Sequence, residues 1–179
     1  MSEGGRYPVA RPLRVIALAL AVVALAVSAR LSLPVPGSPV PMTLQSLAVL
    51  CVGILLGPGQ GLAALAIYLL VGALGAPVFA GGNAGLETLT GPTGGFLVGF
   101  LPGVWLAGAW TRSGRASRLG SAWLGMGIAQ AVILACGWTR LAAEIGGMAA
   151  WAKGVWPFLP GALIKSLAAA AVARLVSNR

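Results

Sequence analysis

Between Arg30 and Glu87 the chain runs 56 residues without a charged side chain. Water-soluble domains carry roughly 25% charged residues, so a run this long folds in a medium that does not reward charge, and that medium is lipid. Drawn out as one α-helix, the run would reach about 84 Å at 1.5 Å per residue, against a bilayer hydrocarbon core of ~30 Å. It must turn back on itself. The turn is marked by Gly57-Pro58-Gly59-Gln60-Gly61, because glycine and proline break a helix where water or headgroups can satisfy the freed backbone groups.

The rest of the 179 residues follows the same logic, with 58% hydrophobic and 8% charged side chains. This composition specifies an all-α integral membrane protein of one domain, residues 13–179, behind an amino-terminal tail of residues 1–12. Its 27 glycines suit helices that approach closely in lipid, where no hydrophobic force drives association. A net charge of +9 would fit a nucleic-acid partner, but the basic residues sit at the ends of apolar runs and form no continuous patch, so the charge is topological. Cys51 and Cys136 each lie alone in an apolar run and read as small hydrophobes. With no histidine and only Glu3, Glu87 and Glu144 as acids, the chain lacks the ligand clusters of metal chemistry and the nucleophile–base pairs of an intramembrane enzyme. No cofactor is expected. Lys153 follows Ala152 and Lys165 follows Ile164, so the chain has no Gly-Lys-Ser/Thr loop with which to hold ATP.

Six apolar segments are expected at 13–30, 43–57, 61–75, 94–111, 121–141 and 158–176. The first, following Arg6, Arg11 and Arg14 and ending near Ala26-Val27-Ser28, also fits a cleavable signal peptide. Six spans bring both termini and the fourth connection to one side, together with Arg6, Arg11, Arg14, Arg112, Arg115, Arg118, Arg174 and Arg179, eight of the 12 basic residues. The positive-inside rule places that side in the cytoplasm of a cell inner-membrane protein. The other side receives the proline-rich Pro34 to Pro41, the loop Pro77 to Gly94 and the stretch Arg140 to Pro160, and long connections carry function. Trp138, Trp151 and Trp156 flank the last of these as headgroup-level anchors. Gly91, Gly95, Gly99, Gly103 and Ala107 form a ridge of small residues for close helix packing. On the first helix Ala17 and Ala21 share that spacing, and either an internal neighbour or a partner helix would fit them.

Lys165 is the sharpest site candidate, because a lone lysine in hydrocarbon pairs, snorkels or serves a ligand. It lies about two turns into the sixth segment with no acid within four residues. Thr43, Gln45 and Asn83 offer hydroxyl and amide groups near the same face, suited to a neutral polar headgroup. Each has a structural alternative: Thr43 as a helix cap, Gln45 as an interhelical bridge, Asn83 as a turn residue. Glu87 and Arg140 could pair, although solvated helix ends are the simpler reading.

Four strings taken in order resemble the BioY family, the biotin-specific S components of energy-coupling factor transporters. They are Pro39-Val40-Pro41-Met42-Thr43-Leu44-Gln45-Ser46-Leu47-Ala48-Val49-Leu50, then Pro77-Val78-Phe79-Ala80-Gly81-Gly82, then Gly91-Pro92-Thr93-Gly94-Gly95-Phe96-Leu97-Val98-Gly99-Phe100, then Pro157-Phe158-Leu159-Pro160-Gly161 with Lys165. The resemblance implies a six-helix bundle that binds biotin near the extracellular face under closing outer loops. It further implies a transmembrane coupling protein and two ATPase subunits as partners, contacted through Ala17 and Ala21. One departure stands out: where the family pattern has an acid after Pro-Gly, three residues before the lysine, this chain has Ala162. In the family that acid is suited to accept from the ureido N–H groups of biotin. Its absence keeps open another vitamin as ligand, and the missing ATP loop keeps open transport without ATPase partners.

Overall fold

Length sorts the apolar segments into two kinds. The computed structural model describes residues 11–178, in which α1 (Arg11–Arg30) leads through the paired strands β1 (Ser32–Leu33) and β2 (Met42–Thr43) to α2 (Gln45–Leu56) and α3 (Pro58–Ala73). Then follow α4 (Leu86–Thr90), α5 (Gly94–Arg112), α6 (Leu119–Ile145), α7 (Gly147–Gly154) and α8 (Leu159–Ser177). All six expected segments are helices, and the chain is an all-helical, multi-pass membrane protein. α1, α5, α6 and the α7–α8 stretch are long and apolar enough to cross a bilayer. α2 and α3, at 12 and 16 residues, reach only about 18 and 24 Å. Most of the expected tail, with Arg6, and Arg179 at the other terminus lie outside the described residues.

The reversal between α2 and α3 is tighter than the sequence suggested. Gly57 alone makes it, at φ +82°, a conformation that strains any residue with a Cβ. Pro58 is already the first residue of α3, where its missing N–H removes a group that has no intrahelical partner anyway. The connections expected to be loops also hold helices. α4 and α7 are short, and α7 buries Ala150 and Gly154 while Met148 and Trp151 stay exposed. A Cβ on Gly154 would stand 2.6 Å from Leu141 Cδ2, so glycine sets how closely α7 settles on α6.

α5 is the central helix, packed on α2, α3 and α6. The small-residue ridge does what its spacing implied: a Cβ on Gly99 would lie 2.8 Å from Cys136 Cβ, and one on Gly103 2.7 Å from Ile133 Cδ1. Gly91 is not part of it, since it caps α4 instead. On the opposite side of α5, Gly108 faces Gly53 of α2, where a Cβ would come 2.8 Å from the Gly53 oxygen. Ala21 and Leu25 place α1 in the same core as Val49, Leu65 and Tyr68.

Successive long helices alternate in direction, so α1 ends, α5 begins, α6 ends and α8 begins at one end of the bundle. Arg14, Arg112, Arg115, Arg118 and Arg174 gather at the other. There Arg112 donates to the Leu55 carbonyl at 3.3 Å, and the Arg115 guanidinium lies 5.3 Å from the Trp110 ring centroid.

Candidate ligand-binding site

The short α2 makes room for the site. Pro39 and Pro41 cannot extend a helix upstream of Gln45, so the chain from Pro34 to Thr43 enters the bundle as a ribbon with Val40 buried. Ser32 pairs with Thr43 and Leu33 with Met42. The space left beyond the first turn of α2 is a cleft in which about 130 Å³ is open to the centres of water molecules. Its walls come from this ribbon, the segment between α3 and α5, and the facing turns of α5, α6 and α8.

All four phenylalanines of the chain line the cleft: Phe79, Phe96, Phe100 and Phe158. Phe96 and Phe158 sit with ring centroids 6.1 Å apart, inclined by 33°. Phe79 is wholly buried and meets Tyr68 edge to face at 5.6 Å. These rings present apolar walls to a flat or aliphatic guest.

Thr43, Gln45, Asn83 and Lys165 are brought together here, as are Ser46 and Gln130, which the sequence reading passed over. Lys165 does not reach out toward headgroups. Its Nζ donates to the Thr43 carbonyl at 2.8 Å and to Ser46 Oγ at 3.1 Å. An ammonium has three N–H donors, so one remains for the cleft. Gln130 Nε2, from the middle of α6, donates to the same Ser46 hydroxyl at 3.3 Å. Gln130 is 3% exposed, and a lone amide within Gly127-Ile128-Ala129-Gln130-Ala131 was the sequence signal that could have found it.

Gln45 works one layer further out as well as lining the cleft. Its Nε2 donates to the Tyr68 hydroxyl at 2.6 Å, and Tyr68 passes the bond on to the Val78 carbonyl at 2.9 Å. Thr43 does not cap α2, whose N-cap is Leu44 without a side-chain bond. Asn83 follows Gly81 and Gly82, both at positive φ, and its carbonyl accepts from the Phe79 N–H at 3.1 Å. Ala162 also lines the cleft one turn before Lys165, at the position where the resemblance implied an acid. Among the described residues no aspartate or glutamate contributes to the lining, and Lys165 is its only ionisable side chain. Among the described residues no histidine, cysteine or acid cluster could hold a metal. A cation, neutral amides and hydroxyls between aromatic walls make a site for binding a guest.

The structure turns the small face of α1 inward. Ala21 is 7% exposed within the core and Ala17 is half-buried, whereas Val15, Ile16, Leu20 and Val23 are exposed. Glu87 and Arg140 do not pair; Arg140 instead meets Glu144 one turn away at 2.7 Å, since α6 continues to Ile145 and carries both.

The bundle has known counterparts. A crystal structure of the S-component for biotin from an ECF-type ABC transporter superposes with a TM-score of 0.79, covering 96% of each chain at 23% identity. The probable biotin transporter BioY of Pyrococcus horikoshii is 38% identical over 162 residues, 90% of this chain and 94% of that protein. The biotin transporter BioY of Rhizobium etli is 39% identical over 147 residues, covering 77% of this chain and 78% of its own. The BioY family model matches residues 6–179, nearly end to end and across every strand of the cleft's lining, and the chain belongs to the BioY family.

Proposed function

We propose that this protein is the biotin-binding membrane component of an energy-coupling-factor uptake transporter. The observation that carries the reading is Lys165, held inside a phenylalanine-lined cleft with one donor free, in a chain of the BioY family. Biotin pairs an apolar bicycle and a saturated chain with a carboxylate at one end and a ureido group at the other. The aromatic walls bury the apolar body, and Lys165 donates to the carboxylate or the ureido carbonyl. Thr43, Ser46, Gln45, Gln130 and Asn83 supply neutral partners for the remaining polar atoms. The ligand is bound and released without covalent change.

A component with no ATP loop of its own works with a transmembrane coupling protein and two ATPase subunits. α1 is the proposed contact, with half-buried Ala17 beside the exposed Val15, Ile16 and Leu20. The gathering of Arg14, Arg112, Arg115, Arg118 and Arg174 at one end supports cytoplasmic termini in the cell membrane, with the cleft toward the outside. Ala162 favours one second reading, a ligand that needs no carboxylate acceptor at that position, such as another vitamin. Mass spectrometry of the small molecule retained by the purified protein decides between them: biotin supports the first reading, and a different vitamin carried at stoichiometric occupancy replaces it with the second.

A further inference from the structure

The segment between α3 and α5 supplies Phe79, Asn83, Thr88 and Thr93 to the cleft. Its hold on the core is concentrated in its middle, where Phe79 is buried, Tyr68 donates to the Val78 carbonyl and the Gly85 N–H donates to the Gly72 carbonyl. Apart from Phe79 its residues are half-buried or exposed, and its bend runs through Gly81, Gly82 and Gly85, all at positive φ. A segment with so few buried contacts toward its ends opens there more readily than the helices it joins.

Its two ends are tied down by arginines. Arg30, the last residue of α1, donates from Nη2 to the Pro77 carbonyl. Its guanidinium also lies over Gly82, where a Cβ would stand 2.9 Å from Nη1. At the other end of the segment Arg140 of α6 donates from Nη2 to the Thr90 carbonyl, with its guanidinium steadied by Glu144 at 2.7 Å. Both arginines therefore spend charged donors on backbone oxygens of one stretch of chain, from two different helices. Neither lines the cleft.

We propose that Arg30 and Arg140 are positioning residues, a pair of latches that hold segment 77–93 closed over the cleft and set how fast ligand leaves it. This rests on the proposed binding function for the identity of the ligand, but the latches themselves are a property of the ligand-free chain. Charged hydrogen bonds are roughly twice as strong as neutral ones, and each fastens a different end. Loss of either opens the segment at that end, while the lining residues on α2, α5, α6 and α8 and the α5–α6 packing remain. Dissociation then quickens, and association, which needs an open segment, does not slow.

Two measurements on the full chain test this. Hydrogen exchange of ligand-free protein should accelerate about tenfold in peptides spanning 77–93 for Arg30→Ala and Arg140→Ala, with peptides from α5 and α6 unchanged. Labelled biotin should dissociate faster by a similar factor, with its association rate held or raised. Arg30→Lys and Arg140→Lys should restore both readouts in part, because one ammonium N–H can still reach the carbonyl. Unchanged exchange in 77–93 for both alanine variants overturns the proposal. So does exchange that rises throughout the chain, which would make the arginines supports of the whole fold. If exchange responds as expected but the wild-type chain binds no biotin, the latches stand and the ligand assignment is what fails.

Discussion

Replacing Lys165 by methionine keeps most of the side-chain stem in the cleft and removes only its ammonium. Two of the three N–H donors are spent within the protein, on the Thr43 carbonyl at 2.8 Å and Ser46 Oγ at 3.1 Å. Ser46 keeps a partner in Gln130, and the Thr43 carbonyl belongs to the ribbon beside β1, so the fold survives the change. The third donor is the one a ligand loses. A hydrogen bond to a charged group is worth about 1.5–3 kcal/mol, and each 1.4 kcal/mol is a factor of ten. Biotin affinity should therefore fall by roughly 10- to 150-fold, with Lys165→Ala at least as severe because it also empties the stem's volume. Calorimetric titration of folded, monodisperse protein in lipid nanodiscs reads the difference. Wild-type affinity in Lys165→Met would remove this lysine from the site and leave its bonds to Thr43 and Ser46 as a purely structural feature.

Other residues give independent tests. Ala162→Asp should tighten biotin if the ureido N–H groups point toward that turn of α8; weaker binding, measured beside Lys165→Ala and the double variant, would mean that the new acid pairs with Lys165 instead. Gly99→Ala should lower the thermal midpoint by the equivalent of about 1–3 kcal/mol through overpacking. Gly127→Ala, with open space where the Cβ goes, should leave the midpoint unchanged or raise it; equal effects in the two variants would contradict the close α5–α6 contact. Ala21→Trp should destabilise the fold, whereas Ala17→Trp should weaken co-purification with a coupling protein and leave biotin titration intact; a folded Ala17→Trp variant that still co-purifies removes α1 from the partner contact. Arg115→Cys, in a background with Cys51 and Cys136 replaced, should resist a membrane-impermeant thiol reagent in intact cells, and ready labelling there would reverse the assigned topology.

What could be read from the sequence followed from rules that act locally. The uncharged run forced a reversal, the arginines marked the helix ends of one side, and the spacing of Gly95, Gly99 and Gly103 exposed the α5–α6 contact because one helix carries all three. Lys165 was legible for a related reason: a single charge in an apolar segment is conspicuous without any knowledge of its neighbours. The features that stayed hidden are pairings across long distances in the chain. Gly53 against Gly108 has no periodicity to betray it, and the four phenylalanines come from three stretches that only the fold unites. Ala17 and Ala21 show the limit of spacing, since the same small face suits an internal neighbour or a partner, and burial of Ala21 depends on how α1 leans on α2 and α3. Arg140 read as a solvated helix end, and Arg30 drew no role at all, because their acceptors are backbone carbonyls, which every residue possesses.

The central claim is that biotin occupies the cleft between Lys165 and the phenylalanine walls, and an experimental structure of the protein with saturating biotin tests it most directly. The account predicts one biotin per chain bounded by Phe79, Phe96 and Phe158, with a ligand oxygen within hydrogen-bonding distance of Lys165 Nζ and segment 77–93 closed over it. Biotin bound elsewhere, or a cleft that stays empty at saturation, would contradict it.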